Sequence, residues 1–306
     1  MVDCLLVDYF DRWVCTYKRG AVRDVTLKKY QNDLTQLKKI VPLAKMSDVD
    51  RVFYQDLLNK YAVDHEKTTT MDFHHHLKSC LLDAVDDGLV KSDPTRRAVV
   101  KGKPPREKKA KYLSRRELDE LLRVLQLSTE VNFDWMILLM AKTGLRFSEA
   151  LALTPSDFNF RQLKLRINKT WNYKNGGGFD LTKNKSSVRT IQIDWQTAMQ
   201  FSQLCEGKDA EKPLFVKPGD DVYNSTVNGI LARRCKEAGV PVIGVHGLRH
   251  THASVLLSNG VSVASVSQRL GHSNIATTQK VYLHVIKELE DKDTSLVMMS
   301  MTGLGG

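Results

Sequence analysis

The chain has 306 residues, with 46 Lys and Arg against 35 Asp and Glu and a formal net charge of +11. That excess points to a polyanionic partner, nucleic acid before an anionic membrane surface. A hydrophobic share of 42% and a charged share of 26% exclude wholesale disorder, and the length suits roughly two domains of about 150 residues each.

No apolar run approaches the roughly 18 residues of a membrane span. The first ten residues carry Asp3 and Asp8 and no basic segment, unlike a signal peptide. Cys4, Cys15, Cys80, Cys205 and Cys235 are widely spaced and form no C-x-x-C. They fit reduced, mostly buried thiols in a cytoplasm better than a disulfide or zinc framework. There is no internal repeat of 20–50 residues.

Residues 1–95 read as a small helical bundle. Tyr9, Phe10 and Trp13 begin one apolar face, and Leu27, Tyr30, Leu34 and Leu37 continue at helical spacing to Ile40. Ser47 is the expected N-cap of a helix ending near Tyr61, and residues 69–85 form another, stopped by Gly88. His74, His75 and His76 point around three sides of that helix, so they are no ligand set.

Residues 91–116 hold eleven Lys and Arg against Asp93 and Glu107, together with Pro94, Pro104 and Pro105. This is the expected interdomain linker, 96–111 at its narrowest. Lys101, Lys103, Arg106, Lys108, Lys109 and Lys111 would form a basic strap along phosphates. Eleven extended residues reach about 35 Å.

A second domain opens at Ser114-Arg115-Arg116-Glu117, a capping-box pattern before Leu118, Leu121, Leu122 and Leu125. A helix over 132–142 is stopped by Gly144. Leu163, Leu165 and Ile167 alternate with polar residues as a strand, 175–178 is a turn signal, and 188–193 reads as the returning strand. Helices dominate from Trp195 onward. The expected fold class is mainly α with one small antiparallel β-sheet (α+β).

Three segments stand out: Thr143-Gly144-Leu145-Arg146-Phe147-Ser148-Glu149, His246-Gly247-Leu248-Arg249-His250-Thr251-His252, and Leu270-Gly271-His272 with Tyr282 ten residues beyond the histidine. Thr182-Lys183-Asn184-Lys185 lies between the first two. In this order and spacing the sequence resembles the tyrosine recombinase (phage integrase) family, especially integrases of phages and conjugative transposons of Gram-positive bacteria. The resemblance covers nearly the whole chain. It implies a helical, SAM-like core-binding domain (1–95), the linker, a catalytic domain (112–290) and a tail (291–306). Together the two domains would make a C-shaped DNA clamp.

The resemblance also implies roles. Tyr282 is the nucleophile that forms a 3′-phosphotyrosyl link. Arg146 and Arg249 clamp the phosphate, His246 acts in proton transfer, and His272 donates a hydrogen bond to the phosphate. Lys183 is the general acid, with Lys185 as its competitor. Glu149 buttresses the active-site structure, and His250 and His252 are read as structural. No metal or other cofactor is implied. The zincin glutamate is missing from the His246, His250 and His252 cluster, because position 247 is glycine.

The implied partners are double-stranded DNA attachment sites, a tetramer of the chain on DNA, an excisionase and a host DNA-bending protein. The location is the bacterial cytoplasm, on the nucleoid when DNA is bound, and no membrane is involved. Strand exchange would pass through a Holliday junction and integrate or excise a mobile element. Alternatives are a type IB topoisomerase or telomere-resolving enzyme, a catalytically inactive DNA-binding relative, and a metal-dependent transposase. The core-binding domain and the Gly271-His272 to Tyr282 spacing favour the recombinase. Long integrases of the group place an arm-binding domain first, whereas this chain opens almost directly on Tyr9-Phe10, as a short member or a truncated one. The tail patch Leu296-Val297-Met298-Met299 is expected to pack on a neighbouring protomer.

Overall fold

The computed structural model describes residues 4–104, 110–174, 176–182 and 184–282. The chain divides into two compact units, Met1–Lys108 and Lys109–Gly306.

In the first unit α1 (Leu6–Trp13) buries Leu6, Val7, Tyr9, Phe10 and Trp13 and runs into a π-helical turn, Val14–Lys18. It is followed by α2 (Asp24–Ile40), α3 (Arg51–Ala62) and α4 (Lys67–Asp86). Two polar ties hold α1 on α4: Tyr9 donates to Asp87 at 2.7 Å and Trp13 Nε1 to Asp83 at 2.5 Å. The N-cap of α3 is Asp50, which accepts from Phe53 N at 2.8 Å. Ser47, the expected cap, sits in a separate 3-10 turn, Met46–Asp48. Ser and Asp cap comparably well; the Met46–Asp48 turn takes up Ser47 and leaves Asp50 directly before the helix. His74 bonds the Tyr54 hydroxyl and His76 bonds Asp33, so these histidines are core and pairing groups.

The start of the basic segment is fastened to this unit. Val99 exchanges two hydrogen bonds with the Gln55 side chain, and Lys103 N donates to His65 O at 2.8 Å. Lys103 Nζ also pairs with Asp64 at 3.5 Å.

In the second unit α5 (Arg115–Arg123) carries the expected reciprocal capping box of Ser114 and Glu117. Asn132 caps α6 (Phe133–Thr143), the most thoroughly buried helix, which ends on left-handed Gly144. After the short α7 (Phe147–Leu151) come β1 (Phe158–Asn159), β2 (Lys164–Ile167), β3 (Lys169–Trp171), β4 (Phe179–Leu181) and β5 (Arg189–Gln192). The remaining helices are α8 (Trp195–Cys205), α9 (Asn224–Glu237), α10 (Val245–Ser258), α11 (Val263–Leu270) and α12 (Ile275–Val281).

The strands form two antiparallel sheets rather than the one expected: β1-β2-β5 and β3-β4. Leu165 pairs with Ile191 in the first. The glycine run closes the inner β3-β4 hairpin, because residues 168–188 are too many for one turn between β2 and β5. Leu163 lies before β2 with a φ of +54°, which ends the turn from β1 rather than extending the strand. Among the described residues no helix is long and apolar enough to cross a membrane.

A buried ion pair ties α6 to α9. Asp134 receives Arg234 Nε and Nη2, the latter at 2.7 Å, and also the Gln126 amide. Removing one partner strands a buried charge. Asp134→Ala is therefore expected to cost about 3–5 kcal/mol in chemical denaturation; a loss under about 1 kcal/mol would show that Glu237, the other partner of Arg234, suffices.

Candidate active site

The site is organised around one buried carboxylate. Glu149 opens the short α7 and is 1% exposed. It accepts the Arg146 amide at 3.0 Å, Arg146 Nη1 at 2.6 Å, and both terminal nitrogens of Arg189 at 3.2 and 3.0 Å. Burial alone would raise its pKa, but the Arg189 hydrogen bond and the charges of Arg189 and Arg146 overcome that. The carboxyl is held at about 2. Arg146 also donates to Gly271 O at 3.1 Å and keeps part of its side chain exposed.

Arg249 comes from the first turns of α10, whose Val245 amide donates to the Asn228 side chain. It is 3% exposed and donates to Gly144 O at 2.7 Å and Leu270 O at 2.6 Å. Burial and the neighbouring Arg146 lower its pKa, with Glu149 acting against them. A guanidinium starts so high that it stays charged at neutral pH.

Both arginines thus rest on carbonyls at helix ends closed by glycine. Gly144 and Gly271 have φ of +70° and +69°. A Cβ at Gly144 would meet the His252 and Leu270 side chains at 2.8 Å, and one at Gly271 would meet Ser186 O at 2.9 Å. Left-handed backbone and close packing together demand glycine at each.

His246 lies one turn before His250 on α10, their rings edge to face with centroids 4.7 Å apart. Burial and then Arg249 and Arg146 lower the His246 pKa. His272 follows Gly271 and bonds Thr278 Oγ1 at 2.7 Å. Burial and the three arginines lower it to about 4. Tyr282 closes α12 and is 2% exposed, packed with Ala253, Leu257, Val266 and Leu270. Burial pushes its phenol up to about 12 even though Arg249 pulls it down. Its hydroxyl meets His250 Nδ1 at 2.9 Å.

The structure therefore gathers Arg146, Glu149, His246, Arg249, His272 and Tyr282 in one region. Lys183, Arg106, Lys108 and Lys109 and the tail 291–306 lie outside the described residues. Lys101 and Lys111 are exposed, and Lys103 is paired with Asp64 as above. His252 has a structural position: Nδ1 meets Ala141 O at 3.0 Å and Nε2 accepts from Arg269. Among the described residues no group of three or more His, Cys, Asp or Glu side chains is placed to hold an ion.

Two residues with site contacts escaped the sequence reading. Arg189 shares the inward parity of Ile191 and Ile193, and a charged residue on the buried face of a strand signals a buried partner. His250, expected to be structural, stands four residues after His246 on the same helical face.

Residues 111–288 match the phage integrase family. The chain is 26% identical to the tyrosine recombinase XerC-like protein of Caldanaerobacter subterraneus subsp. tengcongensis, over 93% of this chain and 80% of that one. It is 27% identical to the ICEBs1 integrase of Bacillus subtilis, over 68% of this chain and 60% of the relative. Among solved structures it is similar to the Tn1549 transposon integrase in complex with a circular intermediate DNA, at a TM-score of 0.74 and 18% identity, covering 91% of this chain and 95% of that one. With its arginines, histidines and terminal tyrosine brought to one centre in the matched region, the chain belongs to the phage integrase family of tyrosine recombinases.

Proposed function

We propose that the chain is a site-specific DNA recombinase that cuts and rejoins strands through a 3′-phosphotyrosyl intermediate, integrating or excising a mobile element. The observation that carries this reading is a buried tyrosine hydroxyl bonded to His250 and within the field of Arg249, which in turn neighbours Arg146 and His272. The names of the ICEBs1 and Tn1549 relatives support the mobile-element part.

Three guanidinium groups and one carboxylate leave a net positive charge in a largely dry site, which favours the extra negative charge of a pentacoordinate phosphate. Arg249 uses two of its five N–H donors on carbonyls, so donors remain for phosphate oxygens. Arg146 presents its exposed edge to the same ligand. His272, fixed through Nδ1, would donate from Nε2 to the phosphate, and His246, the residue expected to act in proton transfer, would reach the same phosphate near the start of α10. The guanidinium pair supplies the charge stabilisation that metal pairs supply in other phosphoryl-transfer enzymes. Lys183 would protonate the departing 5′-oxygen.

The covalent ester conserves the bond energy, so rejoining needs no nucleotide cofactor. A DNA-bound tetramer would cut with two protomers, form a Holliday junction, then act with the other pair. Lys101, Lys103, Arg106, Lys108, Lys109 and Lys111 would grip the duplex backbone independently of sequence, with affinity falling as salt rises.

Three measurements test this reading. On a nicked suicide substrate the wild-type chain should form an SDS-resistant DNA adduct that Tyr282→Phe does not; an adduct persisting in the variant would remove Tyr282 from the reaction. Lys183→Ala should slow cleavage by about 10²–10³-fold and recover on a 5′-bridging phosphorothiolate, whose leaving group needs no proton. Equal slowing on both substrates would move the acid elsewhere, Lys185 first.

The third concerns the charge scaffold. Glu149 is held at about 2, below its ordinary 4.5, so its stabilisation is full above about pH 4.5 and fades as pH falls toward 2. Glu149→Gln should lower stability at pH 7 by about 3–5 kcal/mol and flatten the decline across that window. A variant that retains the full acid dependence would assign it to another carboxylate.

A further inference from the structure

We propose that His250 is the general base of the cleavage step, its Nδ1 taking the proton of Tyr282 Oη as that oxygen attacks the phosphate. This deepens the recombinase reading above and rests on it.

The geometry is direct. Nδ1 lies 2.9 Å from Oη, within the reach a proton acceptor needs. Tyr282 is 2% exposed, and His250 Nδ1 is the partner of its hydroxyl among the described residues. A buried phenol must place its O–H on an acceptor. The hydrogen bond therefore runs from Tyr282 to His250, which leaves the imidazole proton on Nε2. His250 is carried by α10, a long helix packed against α6 and α11, while the nucleophile follows the short α12.

The surroundings set the proton balance between the two groups. His250 is faced by His246 and Arg249 on its own helix, by Lys111 ahead of α5, by His272 between α11 and α12, and by Tyr282 after α12. Burial and then His246, Arg249 and Lys111 lower its pKa to about 4, while burial lifts the phenol to about 12. In the free protein the proton stays on the tyrosine. A scissile phosphate held by Arg146 and Arg249 brings negative charge into this group and opposes the basic neighbours. It thereby raises the proton affinity of His250, and the substrate itself makes the base competent.

The balance of the step is simple. The Oη–H bond breaks and its electron pair stays on oxygen, while the Nδ1 lone pair binds the proton. Oη forms the new bond to phosphorus. The bond from phosphorus to the 5′-oxygen breaks, and that oxygen takes a proton from the general acid, the role proposed for Lys183. On rejoining, the imidazolium returns its proton to Oη as the tyrosine leaves.

The test is single-turnover adduct formation on the suicide substrate as a function of pH, with DNA binding followed by mobility shift. Because the base acts when neutral, the wild-type rate should rise with pH through the value His250 has in the complex. His250→Asn puts an amide oxygen near the place of Nδ1 and can accept the hydrogen bond but not the proton. It should bind DNA normally, lose about 10²-fold or more in rate, and lose the low-pH limb. A 5′-bridging phosphorothiolate should not restore it, in contrast to Lys183→Ala. His250→Gln is run alongside in case the Asn variant fails to bind, and His246→Asn should be slower yet keep the limb.

Adduct formation by His250→Asn or His250→Gln within threefold of wild type would overturn the assignment. So would phosphorothiolate rescue, or a limb abolished by His246→Asn. If the wild-type chain forms no Tyr282-dependent adduct, the recombinase reading fails; if it does and the His250 variants match it, only this inference falls.

Discussion

The second unit depends on one electrostatic constraint: three guanidinium groups share a dry centre with a single carboxylate. Glu149 neutralises one charge, through Arg146 and Arg189 together. The excess is stabilised by backbone dipoles, with Gly271 O on Arg146, Arg269 O on Arg189, and Gly144 O and Leu270 O on Arg249. Those carbonyls lie at the ends of α6 and α11, where helix C-termini carry partial negative charge. The arrangement fixes where the chain must turn. Two glycines with positive φ are required, and the strand β5 must come close enough for Arg189 to span from Glu149 to the α11 terminus.

This constraint couples folding to function. A phosphate, the ligand of the proposed reaction, would complete the charge balance of this cationic centre. Arg249 stays within the core because its carbonyl partners cannot be replaced by water at that burial. Arg146, whose edge remains exposed, is free to meet the ligand first. The histidines follow from the same field. Burial first, and then the basic neighbours, push His246, His250 and His272 toward their neutral forms, and a neutral imidazole can accept or donate one proton at a chosen nitrogen. The cationic centre therefore prepares its own acid–base groups.

Much of this was legible in the residue order. The helical faces, the Ser114 capping box, the α6 boundaries at Asn132 and Gly144, and the pairing of β2 with β5 follow from periodicity and local hydrogen-bond chemistry, which act within a few residues. What escaped was nonlocal. Ser47 and Asp50 compete for one helix start, and only the turn geometry of 46–48 decides between them. Arg189 looks like a surface residue of a basic hairpin until β5 is seen to place it on Glu149, forty positions away. His250 is separated from Tyr282 by thirty-two residues and two helices, and no spacing rule brings them together.

The placement of His250 also clarifies why two histidines one turn apart are found on α10. One helical turn, about 5 Å of rise, sets their rings edge to face and lets each meet a different partner. His246 lies nearer the helix start, where the proposed phosphate would meet the N-terminal dipole, while His250 meets the phenol. Sequence motifs that record only the first histidine describe the half of the site that meets the ligand. The second half faces inward, on the buried tyrosine, and it is the helix register that couples the two: a shift of α10 that improves one contact necessarily displaces the other.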